Sequence, residues 1–331
     1  MNNALVSIIL PTHNGERFIA ESIDSCLSQT HKNIELIIID DCSDDNTPGI
    51  IKSYLSIDNR IKVITQITKG NLPIALNTGH ADSNGEYITW TSDDNVYNND
   101  AIEIMVSELI KTKTDIVYSD YTIIDSESKI LKKQSVKDPD FIIYGNPIGA
   151  SFLYKREVFF SSSGYPENLP LVEDYHFWLH SSKKYVFYKI PESLYKYRIH
   201  NESLTSKINT DSSTRQLFIN NLKHVYLSFF NNFDEDELSL LIRIHQYNDL
   251  LFIDNDIFTF LKLNERINKL HTFIKDETFL SYSRGIYYKI NKKKEKYPLS
   301  DLSKILKYIP YYFQLTSNKI RRQMIKEYFL N

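Results

Sequence analysis

The sequence predicts an α/β protein with a doubly wound, mostly parallel sheet, followed by an α-helical C-terminal region. Three observations predict it. Short apolar runs alternate with stretches of helical periodicity from Leu5 to about Ser119, as in a parallel sheet whose crossovers are helices. The runs carry little apolar/polar alternation, as expected of strands covered on both faces. After about Thr210 helical spacing dominates, through Leu217, Leu222, Val225 and Phe229 and then Leu238, Leu241, Ile242 and Ile244. The expected division is an α/β domain over residues 1–209 and a helical region over 210–331.

The elements follow in order. Leu5 to Leu10 is the first strand, ended by Pro11, with Thr12-His13-Asn14-Gly15 as its turn. A helix runs from about Glu16 to Gln29, with Phe18, Ile19, Ile23, Cys26 and Leu27 on one side. Ile34 to Ile39 is a second buried strand, and the polar loop Asp40 to Thr47 leads to a helix through Tyr54. Ile61 to Ile64 is a third strand and Asn71 to Ala81 a third helix. Glu86 to Thr91 is a strand of β-branched and aromatic residues. It stops on Ser92-Asp93-Asp94-Asn95, before a helix from about Ala101 to Lys111 and a strand from Ile116 to Ser119. From Tyr121 to about Tyr144 the pattern loosens into a polar segment. A turn and strand over Asn146 to Tyr154, a short helix, a helix start at Glu173-Asp174 and a strand over Val186 to Ile190 complete the domain, which Tyr195 to Asn201 closes. The loops after the first, second and fourth strands open on one edge, where ligands of open α/β sheets bind.

Composition narrows the function classes. A net charge of −3 gives no general attraction to nucleic acid. Two cysteines, Cys26 and Cys42, both in expected core elements, point to a reducing compartment without a disulfide framework. No signal peptide or membrane-spanning run is expected, so the predicted location is cytoplasmic.

Four charged clusters lie in loops or at element ends: Asp40/Asp41, Asp93/Asp94, Glu173/Asp174 and Arg198/His200. Each has a plain explanation alone. The aspartates can cap helices, Glu173 and Asp174 suit the positive end of a helix dipole, and Arg198 can pair with any carboxylate. Adjacent carboxylates beyond a buried strand repel each other and lose hydration, and a divalent cation or a ring of donors relieves that. The order and common edge of all four clusters favour a shared site.

The set of motifs resembles family 2 nucleotide-sugar glycosyltransferases of the GT-A fold, over about residues 4–206. Val6 to Asn14 looks like the family's opening strand and nucleotide loop, where Tyr commonly stands in place of His13. Ser28-Gln29-Thr30 followed by Glu35 to Thr47 is similar to its most recognisable block, and Asn77-Thr78-Gly79 with Gly85 to Ile88 matches the approach to the metal-binding turn. Ser92-Asp93-Asp94 stands where the family carries its Asp-x-Asp motif, with Ser92 replacing the first Asp. Glu173-Asp174-Tyr175 with Trp178 resembles the block that supplies the base, and Tyr197-Arg198-Ile199-His200 with Ser203 the closing motif.

The resemblance implies an inverting transfer from a nucleotide-sugar, a UDP-sugar being favoured, to a hydroxyl of a glycan or lipid-linked glycan in bacterial surface polysaccharide synthesis. Pro11, Thr12, His13 and Asn14 would line the nucleotide pocket. Asp41 would accept from the base imide and Asp93 from the ribose hydroxyls. Asp94 would hold Mn²⁺ or Mg²⁺, ions suited to oxygen ligands. Asp174 would be the general base, because an acceptor hydroxyl is a poor nucleophile. Glu173, Arg198 and His200 would serve the diphosphate or acceptor region. Three alternatives are weaker. A dinucleotide oxidoreductase lacks its Gly-x-Gly-x-x-Gly loop. A metal-dependent phosphatase using Asp40 would leave the other clusters unexplained. A non-catalytic nucleotide-sugar binder would have no use for both Asp94 and Asp174.

Residues 284–331 contain twelve Lys or Arg against three carboxylates, a net of +9 that leaves −12 for the preceding chain. Tyrosines, phenylalanines and aliphatics interleave with these charges. The segment suits either a helical unit with solvated lysines or docking on an anionic membrane surface at the inner face of the cytoplasmic membrane.

Overall fold

The computed structural model describes residues 3–230 and 233–247, with Thr259 and Leu263. The basic segment 284–331 lies outside the described residues. The chain forms two compact units, Met1–Asn231 and Asn232–Asn331.

The first unit opens with β1 (Val6–Thr12), α1 (Ile19–Leu27), β2 (Ile34–Asp40), α2 (Thr47–Leu55), β3 (Ile61–Thr65), α3 (Leu72–Asp82) and β4 (Tyr87–Trp90). It continues with β5 (Val96–Tyr97), α4 (Ala101–Thr112), β6 (Ile116–Ile124), β7 (Ile130–Gln134) and a single 3-10 turn, Pro139–Ile143. β8 (Phe152–Lys155), α5 (Arg156–Phe160), α6 (Glu173–Ser181), β9 (Phe187–Arg198), α7 (Leu204–Thr210) and α8 (Ser212–Phe229) complete it. In the second unit α9 (Glu235–Tyr247) buries Leu238, Leu241, Ile242 and Ile244.

One sheet runs β3-β2-β1-β4-β8-β6-β9-β5, with β7 paired to β6. β3, β2, β1 and β4 are parallel. β8 is antiparallel to both neighbours, β6 and β9 are parallel, and β5 and β7 are antiparallel additions. The sheet is thus parallel in its first half and mixed in its second.

Every residue of β1 and β2 is buried, which explains the uninterrupted apolar runs. Pro11 does not end β1, which continues to Thr12. The Ile9 carbonyl accepts from Thr91 N–H on the β4 side. Pro11, two residues on, faces the same side, but β4 has ended opposite Ile9, so its missing N–H costs the ladder nothing. Gly79 brings α3 onto β1, where a Cβ would stand 2.5 Å from Ile9 Cγ2. Buried Glu35 ties the parallel strands together. It accepts from Ser7 Oγ at 2.6 Å, Asn84 N–H at 2.6 Å and Lys62 Nζ at 2.8 Å.

Two elements outrun their sequence signals. β6 continues to Ile124 and turns into β7, because the mostly exposed β7 has no buried face to reveal it. β9 runs from Phe187 through Arg198, and Pro191 and Glu192 sit in a bulge where the register to β6 shifts. A proline in a bulge reads as a strand end. Cys26 is buried in α1, but Cys42 is only partly buried, in the loop after β2 with φ of 58°.

Candidate active site

The parallel register sets the site. Ile9 pairs with Trp90, so Thr12 and Asp93, each three residues further on, arrive together. Thr12 Oγ1 donates to Asp93 Oδ2 at 2.5 Å. Burial, opposed by this bond and reinforced by the charge of Asp94, pushes the Asp93 carboxyl up to about 7. The acidic turn does not cap α4, whose N-cap is Asp100.

Thr12 also pairs with Asp40 at the end of β2. The Thr12 carbonyl accepts from Asp41 N–H, and Asp41 Oδ1 accepts from Gly70 N–H at 2.7 Å. Lys69 Nζ lies 2.7 Å from His13 Nε2 and can only donate. Nδ1 therefore carries the ring hydrogen and donates to the Asp41 carbonyl at 2.8 Å. Asn14, at φ of 57°, exchanges hydrogen bonds with Asp44 and donates its backbone N–H to Ser43 Oγ. The loops after β1 and β2 are thereby zipped into one wall. Pro11 and Thr12 are buried in it, His13 is half-buried and Asn14 is exposed.

Asp94 and His200 meet: His200 Nε2 is 2.9 Å from Asp94 Oδ2. Asp94 Oδ1 is buried without a hydrogen-bond partner. The Phe18 ring lies 5.1 Å from the His200 ring and 4.6 Å from the Arg198 guanidinium.

Arg198 does not stand as a free cation near a diphosphate. It is 1% exposed and its donors are committed. Nε donates to the Asp94 carbonyl at 2.7 Å, Nη1 to the Asp125 carbonyl and Ser128 Oγ, and Nη2 to Glu21 at 2.5 Å. Its own N–H donates to Asn95 Oδ1 at 2.7 Å. Arg198 braces the backbone of the acidic turn.

Glu173 and Asp174 form the first turn of α6. Asp174 Oδ1 accepts from Tyr175 N–H at 2.7 Å and Oδ2 from Asn146 Nδ2 at 2.8 Å. Glu173 is 4% exposed and its Oε2 has no partner. Burial and the Asp174 charge push the Glu173 carboxyl up, and burial also raises Asp174 against its hydrogen bonds, those from Tyr175 N–H and Asn146 first. Tyr197 lies on β9 with its hydroxyl at Thr205 Oγ1. Burial, opposed by its bond to Thr205, and then the charges of both Asp94 and Asp174, raise its phenol.

Sequence reading missed Lys69 and Asn146. Each follows no charge cluster, and only Lys69-Gly70 and Asn146-Pro147 as turn signals mark them.

A divalent cation fits what is present. A buried carboxylate oxygen lacks a partner, and an imidazole nitrogen lies beside its mate. Among the described residues no group of three or more His, Cys, Asp or Glu is arranged to hold a metal. Mg²⁺-type ions commonly take one or two carboxylates and fill their remaining positions from substrate phosphates and water.

The comparisons agree with this architecture. Residues 7–166 match the model for Glycosyl transferase family 2. An uncharacterized glycosyltransferase of Rickettsia prowazekii is 31% identical over 273 residues, covering 78% of this chain and 80% of that one. The chain belongs to glycosyl transferase family 2. Three longer rickettsial relatives are also uncharacterized glycosyltransferases, and the chain spans 39%, 34% and 40% of their length. The fold is similar to that of Staphylococcus aureus TarS in complex with UDP-GlcNAc, with a TM-score of 0.59 and 17% identity over 78% of this chain and 79% of that one. It is also similar to a mannosyltransferase from Pyrobaculum calidifontis in complex with GDP-Man and Mn²⁺, at TM-score 0.54 and 17% identity over 71% and 67%. Among the described residues no helix is long and apolar enough to cross a membrane.

Proposed function

We propose that this chain is an inverting, metal-dependent glycosyltransferase that moves a sugar from a UDP-sugar to a hydroxyl of a glycan or lipid-linked glycan in surface polysaccharide synthesis. The observation that carries the reading is the meeting of Asp94 with His200 beside a buried, unpartnered carboxylate oxygen of Asp94. In this reading His13, Asn14 and Asp41 receive the nucleotide base and Asp93 the ribose. Asp41 has one carboxylate oxygen occupied by Gly70 N–H, and the other suits the single N–H of a uracil imide.

Asp94 and His200 would hold Mn²⁺ or Mg²⁺, which when bound neutralises the diphosphate as a Lewis acid. Asp174 takes the proton of the acceptor hydroxyl. The acceptor oxygen forms its bond to the anomeric carbon as the bond to the diphosphate oxygen breaks, and the electron pair leaves with the diphosphate. One displacement with one base inverts the anomeric centre. Glu173 is buried beside Asp174 and reaches no phosphate in this account.

The test is a panel of UDP-, GDP- and dTDP-sugars with Mn²⁺, read as nucleotide release and as protection against thermal unfolding. A UDP-sugar should be turned over and should raise the melting temperature. Stabilisation without turnover, with and without glycan acceptors, would favour a binding protein. No response to any nucleotide would contradict the reading.

A further inference from the structure

The reading of Asp174 as base leaves a physical difficulty. Its carboxylate is buried at α6 next to Glu173. Burial favours a neutral, freely turning carboxyl, whereas a general base must be ionised and aimed. Two fixed donors oppose this. One is Tyr175 N–H, part of the helix backbone. The other is the side-chain amide of Asn146, in the turn between the Pro139–Ile143 helix and β8.

That amide is itself held. Ile148 N–H donates to Asn146 Oδ1 at 3.2 Å, which directs the Nδ2 hydrogens towards Asp174. The turn needs glycine at 149, where φ is +67° and a Cβ would stand 3.0 Å from the Tyr121 ring. Each oxygen of Asp174 thus meets one donor from a different element, which fixes the carboxylate plane and leaves its other lone pairs for a substrate proton.

We propose that Asn146 is a positioning residue for the glycosyl transfer: its anchored amide aims the Asp174 carboxylate and keeps it in the ionised form that accepts the acceptor's proton. This rests on Asp174 being the base. The other ionisable groups acting there are Glu173 on the same helix, Tyr165 from the segment before it and Tyr197 on β9. Glu173 is itself pushed up by burial and by the Asp174 charge, and the two tyrosines are protonated at neutral pH and add no charge.

The experiment is a ¹³C titration of the full chain labelled at Asp Cγ, with the Asp174 signal identified by its loss in Asp174→Asn. Asn146→Ala should move the Asp174 titration upward by about one unit, the scale of a lost charge-assisted hydrogen bond. Asn146→Asp keeps the shape but replaces the donor by oxygen, and should move it at least as far. With the UDP-sugar that the wild type turns over best, the acid limb of kcat should move by the same amount while donor KM changes less than about twofold. An unmoved Asp174 titration in both variants would overturn the proposal, even if activity fell. Full activity of Asp174→Asn would overturn the base assignment and the proposal with it, an outcome separate from any effect of Asn146.

Discussion

His200 Nε2 stands 2.9 Å from Asp94 Oδ2, while the other oxygen of that carboxylate is buried without a partner. An imidazole at the end of β9 and a carboxylate beyond β4 meet across 106 residues of sequence. Two ligand types then face one point, and a third source of oxygens is needed to complete a coordination shell. A nucleotide diphosphate supplies them.

This arrangement predicts a coupling between metal and nucleotide. In calorimetry, Mn²⁺ should tighten UDP binding by about tenfold or more, the size of a typical coupling free energy. Asp94→Ala should abolish the coupling and His200→Ala should reduce it. Equal UDP affinity in Mn²⁺ and in chelator would contradict the assignment.

The brace at Arg198 predicts unequal costs for its two sides. Arg198→Ala removes a buried guanidinium and leaves the Asp94 carbonyl without its donor, at a cost of about 2–4 kcal/mol. Glu21 keeps 45% of its side chain in solvent, and water can enter the vacated position beside the buried guanidinium, so Glu21→Ala should cost less, about 1–2 kcal/mol. Urea denaturation measures both, and equal losses would mean that the ion pair, not the bracing of the turn, matters most.

The legible parts of this molecule are those where burial writes itself into the chain. β1, β2 and β4 are buried on nearly every residue, so their apolar runs locate them and their polar ends locate the acidic turns. The joining of Asp94 to His200 was foreshadowed only as two motifs in the same region, since no local pattern states which side chain will meet which. Arg198 shows the same limit: its type and position announced a functional cation, but its burial and its bond to the Asp94 carbonyl depend on the β6–β7 turn, which has no apolar signal. Asn146 was invisible because an amide carries no charge and stands alone in a turn.

Glu35 gives a pH-dependent stability. Burial would raise its carboxyl, but the bonds from Lys62, Ser7 and Asn84 outweigh it and hold it below the ordinary value of 4.5. A depressed folded value contributes stability above the unfolded value, lost as pH falls through the folded one. Glu35→Gln should therefore be less stable than wild type by about 1–3 kcal/mol at pH 7. Chemical denaturation at several pH values should show the gap narrowing below pH 4.5. A gap that widened with acid would contradict the role of the ionised carboxylate.

Close packing at Gly79 makes a simpler prediction. Gly79→Ala brings a methyl group against Ile9 Cγ2 in the fully buried β1. Overpacking of this kind costs about 1–3 kcal/mol, although alanine favours a helix. A stabilised Gly79→Ala protein would mean that α3 can move away from the sheet.

The most direct measurement is the rate of sugar transfer by Asp174→Asn against wild type, with UDP affinity measured on the same preparations. The substitution keeps the shape of the side chain and removes its ability to take a proton. The account predicts that kcat falls by about 10²–10⁴-fold while UDP affinity stays within about twofold. A kcat close to that of wild type, with UDP binding intact, would contradict the claim that Asp174 is the base of this site.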